Sequence, residues 1–107
     1  MVMISMPMGN DPHWRTRYSE IRDKLENKGY KITPLYISVI FDKVPTVQYP
    51  VKSVPLLMMG NSMYRIAISD TVYFCKGWEN ARGCVIEHEA AVRYGLNILY
   101  EENEDEN

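Results

Sequence analysis

Between Lys76 and Glu89 the chain sets Lys76, Gly77, Trp78, Glu79, Asn80, Arg82 and Gly83 just ahead of Glu87, His88 and Glu89. That is more polar and aromatic variety than a turn requires, and it reads as a ligand-binding segment. Gly83, at the start of a helix, would let an anionic group approach unpaired backbone N–H groups, where the helix dipole also favours negative charge. Glu87 falls about one turn further on, with its side chain directed back toward the N-terminal end. There it is expected to stay ionised, as a nucleophile or general base. The plainer alternative makes Glu87 and Glu89 ordinary acids on a solvated face. Trp78 is either a loop plug or a platform on which a base stacks, and Lys76 and Arg82 are either surface cations or ligands of an anion. A second group, Met6, Pro7, Met8, Gly9 and Asn10, either packs and turns at a strand end or forms an apolar wall for a flat ligand, a use that suits flexible Met.

Other chemistry is poorly supplied. His88 neighbours Glu87 but points about 100° away around a helix, so it reads as a packed or surface histidine rather than a dyad partner. His13 reads as a surface group. Cys84 near His88 lacks two further ligands at a metal-binding spacing, and no metal or cofactor is expected. No phosphate loop, G-x-G-x-x-G run or G-x-S-x-G elbow occurs.

The elements that must position these residues alternate. Met1 to Met6 is an apolar run that suits a strand buried on both faces. Asp11 and Pro12 open a helix marked by Trp14, Tyr18, Ile21 and Leu25, with Gly29 as its stop. Tyr30 to Phe41 is β-rich but carries Pro34, and Asp42 to Pro55, with three prolines, reads as a connecting loop. Leu56, Met59, Met63, Ile66 and Ala67 suggest a helix entered near Ser53 to Pro55. Thr71 to Cys75 reads as a strand, Gly83 to Tyr94 as a helix stopped by Gly95, and Asn97 to Tyr100 as a last strand. The expected fold is therefore α/β, a flavodoxin-like (Rossmann-like) three-layer sandwich of about four parallel strands in the order 2-1-3-4. Its switch point lies between the first and third strands, so both groups of candidate residues would meet beyond the carboxyl ends of those strands.

Laid out this way, the chain resembles the nucleoside 2-deoxyribosyltransferase-like superfamily, and within it a group of short members often found in phage and mobile elements. The carriers are Met3-Ile4-Ser5-Met6-Pro7-Met8-Gly9, the helix ending in Gly29-Tyr30, and the block from Ser69 to Ala91 with its Cys75-Lys76-Gly77-Trp78-Glu79-Asn80-Ala81-Arg82-Gly83-Cys84 core. The resemblance spans nearly the whole body. It implies a nucleophilic glutamate at the position of Glu87, which attacks the anomeric carbon of a deoxyribosyl N-glycoside, and oligomers whose neighbouring subunits complete the site. Trp78, Met6 and Met8 would then hold the base, and Gly9, Asn10, Lys76, Asn80 and Arg82 the sugar and any phosphate. Two places depart from the pattern. The acid that protonates the leaving base falls on Asn61 or Ser62, and Ala81 stands where many transferases carry an acid or hydroxyl. Glu79 or Asp70 is the available substitute.

Composition agrees with a small-molecule partner. The formal charge of −2 conceals an uneven spread: five of the fourteen acids lie in residues 101–107, leaving residues 1–100 with 12 basic and nine acidic side chains. A body of +3 with no basic run suits a small anionic ligand such as a nucleotide better than duplex DNA. Residues 101–107 are expected to be a disordered acidic tail on a domain spanning 1–100. The sequence holds neither a membrane span nor a signal peptide, and its two cysteines match no disulfide scaffold, so a cytoplasmic protein with reduced thiols is expected. Its Met- and Tyr-rich surface points to a homo-oligomer. The leading expectation is cleavage or transfer at an N-glycosidic bond. The alternatives are a nucleotide-binding module without turnover and a protein-interaction domain.

Overall fold

Four consecutive buried residues, Val2–Ser5, form strand β1, as a run without polar alternation must when both sheet faces are covered. In the computed structural model, which describes residues 1–9, 11–36 and 50–101, β1 pairs in parallel with β2 (Thr71–Phe74), and β2 with β3 (Asn97–Tyr100). The register sets Ser5 opposite Phe74 and Phe74 opposite Tyr100. Among the described residues three helices cover this sheet: α1 (Trp14–Asn27), α2 (Val54–Ala67) and α3 (Arg82–Arg93).

Alternation along β1 sorts the core into two layers. Val2 and Ile4 meet Tyr18, Ile21 and Leu25 of α1 on one face. On the other, Met3 packs with Val72, Phe74, Ile66 of α2 and Ala91 of α3. The result is a small Rossmann-like α/β arrangement with helices on both faces of a parallel sheet.

The sheet has three strands among the described residues, not the four expected. Where the second strand was anticipated, Ile32 makes a single parallel bridge to Val2, through Val2 N–H to Lys31 O and Thr33 N–H to Val2 O. Beyond it, Pro34 restricts the backbone, and a polar stripe on α2 captures the segment. Asn61 Nδ2 donates to Leu35 O at 3.2 Å, Arg65 Nε donates to Pro34 O at 2.8 Å, and the Ser69 and Thr33 hydroxyls lie 2.6 Å apart. Asn61 and Arg65, four residues apart, lie on one side of the helix, and Ser69, just past its end, turns back on it by donating its hydroxyl to Arg65 O at 2.6 Å. The rest of the expected strand and most of the loop assigned to Asp42–Pro55, residues 37–49, lie outside the described residues.

Element boundaries differ from expectation by a residue or two. Asp11 accepts the His13 N–H at 2.8 Å, but α1 begins only at Trp14, with His13 as its N-cap. Ser53 caps α2 by accepting the Leu56 N–H. Gly29 and Gly95, the expected stops, have φ of +96° and +75°, the left-handed backbone that ends helices.

Candidate functional site

The loops after β1 and β2 meet, as strand neighbours in a parallel sheet require. Gly77 adopts φ +88° ahead of a 3₁₀ turn at Trp78–Asn80, and a Cβ on it would lie 3.7 Å from Pro7 Cγ. The main chain of Pro7 is tied to α1, because its carbonyl accepts from Arg17 Nη2 at 2.6 Å.

Beneath this junction is a buried polar group. Glu87 of α3, 7% exposed, accepts a hydrogen bond from Ser5 Oγ at 3.3 Å. Cys84, one turn earlier on α3 and also buried, lies within hydrogen-bonding reach of the same hydroxyl. Arg65 of α2, 4% exposed, contributes positive charge. Burial pushes the Glu87 carboxyl up to about 7; the Arg65 charge and the Ser5 bond act in the opposite direction. Burial likewise pushes the thiols of Cys84 to about 11 and Cys75 to about 12, so both are neutral.

This corrects the expectation that Glu87 stays ionised. It is the sixth residue of α3, beyond the first turn where the dipole acts most strongly, and its carboxyl is held against Ser5 inside the fold. Desolvation of the charged form outweighs the two favourable partners.

The other candidates spread around this group. Met6 is buried in the α1-side core, while Pro7 and Met8 are half-buried and Gly9 is exposed with φ +40°. Asn10 lies outside the described residues. Trp78 is half-buried and stacks on His88, ring centroids 4.1 Å apart, with Phe74 and Tyr100 nearby. One indole face is therefore already taken by protein, and His88, whose Nε2 lies 2.6 Å from Tyr100 Oη, is the packed histidine anticipated. Lys76 is exposed, and its N–H donates to Glu101 Oε1 at 3.1 Å. Glu79, Asn80 and Arg82 are exposed, and Glu89 pairs with Arg93.

Arg82 and Gly83 line a groove of about 580 Å³ between α2 and α3, whose other walls include Leu56, Met58, Met59 and Ile86. Glu87 is not among the residues lining it. Met59 Cε lies 3.5 Å from where a Gly83 Cβ would be, so this glycine leaves room that a methionine occupies.

Neither proposed substitute for the leaving-group acid is held against Glu87. Asp70 is at the amino end of β2, exposed and paired with the Met1 ammonium at 3.3 Å, a strand's length from Ser5. Glu79 is exposed in the 3₁₀ turn. Asn61 is buried with its amide donating to Leu35 O. Among the described residues no group of three His, Cys, Asp or Glu side chains could hold a metal ion.

Over residues 1–100 the chain matches the family described as domain of unknown function (DUF4406). The chain belongs to that family. Comparison with curated proteins and with solved structures finds no match. In this DUF4406 domain the residues nearest Glu87 are ones that sequence reasoning did not select. Ser5 was visible only as the polar member of an apolar strand, and Arg65 only as the middle of the Asn61, Arg65, Ser69 repeat. No helix among the described residues is long and apolar enough to cross a membrane.

Proposed function

We propose that the protein cleaves or transfers the N-glycosidic bond of a nucleoside or nucleotide, with Glu87 as nucleophile. The observation that carries this reading is a buried carboxyl, poised near neutrality, beside Ser5 at the carboxyl end of the parallel sheet. Open α/β sheets bind ligands at that end, and a carboxyl shifted by desolvation beside a specific charge is the kind of group that active sites use. The resemblance to the 2-deoxyribosyltransferase-like superfamily supports the same position.

In the proposed reaction a Glu87 oxygen bonds to the anomeric carbon as the carbon–nitrogen bond breaks. The departing base takes the bond's electron pair and a proton from solvent. Water, or the nitrogen of a second base, then attacks the same carbon and releases the Glu87 carboxylate, as in retaining glycosidases. Ser5 would orient the nucleophile, and Arg65 would favour its ionised form. Trp78, Met6 and Met8 are proposed for the base, and the loop residues Gly9, Asn10, Lys76, Gly77, Asn80, Arg82 and Gly83 for sugar and phosphate.

A second reading is a nucleotide-binding module without turnover. It is favoured by the Asn61 amide, committed to Leu35 O, and by Ala81, since neither supplies a proton to a leaving base. Incubation with deoxynucleosides and their monophosphates, followed by chromatography for free base, tests both. Release of base that is abolished in Glu87→Gln supports the first. Tight calorimetric binding with ligand recovered intact supports the second. In an active enzyme kcat/KM should rise with pH through an apparent pKa of about 7, the value to which burial raises Glu87.

A further inference from the structure

On the opposite face of the sheet from Glu87's helix, α1 and the segment Ile32–Tyr36 line an open cavity of about 370 Å³. Its walls include Trp14, Arg15, Tyr18, Ser19, Arg22 and Tyr36. The volume is at the small end of the roughly 300–1,000 Å³ typical of ligand sites, and three aromatic residues stand beside cations. Arg22 is already engaged by Ser19, Asp23 and Glu26. Arg15 is exposed, lies over the Trp14 ring at 4.6 Å, and makes no ion pair among the described residues.

Behind the wall is Arg65. Its Nε donates to Pro34 O, and its charge acts on Tyr18 and Tyr36; all three of these residues line the cavity. Arg65 is 4% exposed, and its Nη2 has no hydrogen-bond partner among the described residues. Arg65 is not itself among the residues lining the cavity; it shares a side-chain hydrogen bond with Tyr18, and its charge reaches the cavity from behind that wall.

We propose that this cavity binds a small anion carrying a planar ring, with its phosphate or carboxylate held by Arg15, the buried charge of Arg65 favouring it from behind the wall, and its ring against Trp14 and Tyr36. Arginine suits either oxyanion, because its planar fork matches both geometries. The cavity itself does not include Glu87, although the Arg65 charge acts on both places, and the proposal stands whether or not Glu87 is a nucleophile.

The test uses the full chain carrying Trp78→Phe and Glu87→Gln. Trp14 is then the sole tryptophan of the two in the sequence, and Glu87-dependent turnover is removed. Adenosine 5′-monophosphate and 4-hydroxybenzoate are titrated as the phosphate and carboxylate arms, with adenosine and inorganic phosphate as fragments, reading Trp14 emission and heat. At least one ring-bearing anion should bind with the same midpoint in both readouts, and tenfold or more tighter than either fragment. Adding Arg15→Glu, an exposed reversal of charge that spares the core, should weaken that binding at least tenfold. Arg65→Met should do the same, and should it fail to fold, Arg15→Glu decides. Binding unchanged by Arg15→Glu, heat without a Trp14 response, or no binding of either anion would overturn the proposal.

Discussion

Glu87 carries a protonation equilibrium that stability alone can read. Its carboxyl titrates near 7 in the fold, raised by burial from an ordinary value of 4.5. Between those two pH values the folded chain holds a proton that the unfolded chain has released, so stability must fall as pH rises through the window. The stabilising contribution is fully present below 4.5 and gone above 7, a difference of about 3 kcal/mol at most. Glu87→Gln removes this dependence. Urea melts should find the variant close to wild type at pH 4 and more stable at pH 8, by up to about 3 kcal/mol; a variant less stable than wild type at pH 8 would contradict the buried carboxyl. Arg65→Met should move the Glu87 midpoint higher still, as followed by carboxyl ¹³C shifts, because the counter-charge that opposes burial is lost. Much of this site was hidden in the sequence. Glu87 stood out by its place in a polar segment, but helix position alone implied an ionised acid. Its state depends on Ser5 and Arg65, brought from distant points of the chain by packing that spacing does not reveal.

At the level of elements, α2 does two things whose origins differ in legibility. Ser53 followed by Pro55 is a recognisable start, and the serine caps the helix by accepting the Leu56 N–H at 3.2 Å. Ser53→Ala should therefore cost about 1 kcal/mol in chemical denaturation. The helix's orientation was not legible. Leu56 reads as a core residue yet is 70% exposed, whereas Asn61 and Arg65 are buried, because their polar tips are needed by the carbonyls of Leu35 and Pro34. Asn61→Leu should cost about 1–3 kcal/mol, since it leaves the part-buried Leu35 carbonyl without that donor; no loss in a urea melt would mean that water replaces the amide. The strands were easier to place. Asn97–Tyr100 forms as anticipated, and β2 ends one residue early at Phe74, because apolar β-formers bounded by turn residues leave little choice. Of the strand expected from Tyr30, the described residues form only the bridge at Ile32, because polar contacts with α2 compete with the sheet ladder, and periodicity carries no information about that competition.

Among the described residues the molecule is a three-stranded sheet between one helix and two, closed at its carboxyl end by two touching loops and by Glu101. That residue belongs to the acidic cluster that sequence composition sets apart, yet its carboxylate accepts the Lys76 N–H and so ties the end of β3 to the loop after β2. Glu101→Ala should lower stability by about 0.5–1.5 kcal/mol, whereas a truncation after Glu101 should leave the melting temperature unchanged within error. Equal effects from the two changes would show that the bond contributes nothing. The pairing of β1 with β2 has a further consequence for how the protein is made. Residues Val2–Ser5 find their hydrogen-bond partners in Thr71–Phe74, a separation of 69 positions along the chain. An apolar strand is thus synthesised long before the strand that shelters it, and the sheet cannot assemble until most of the domain has left the ribosome. Such long-range parallel pairing slows folding and leaves hydrophobic backbone exposed in the interval, which makes the nascent chain, rather than the finished domain, the form most in need of a chaperone.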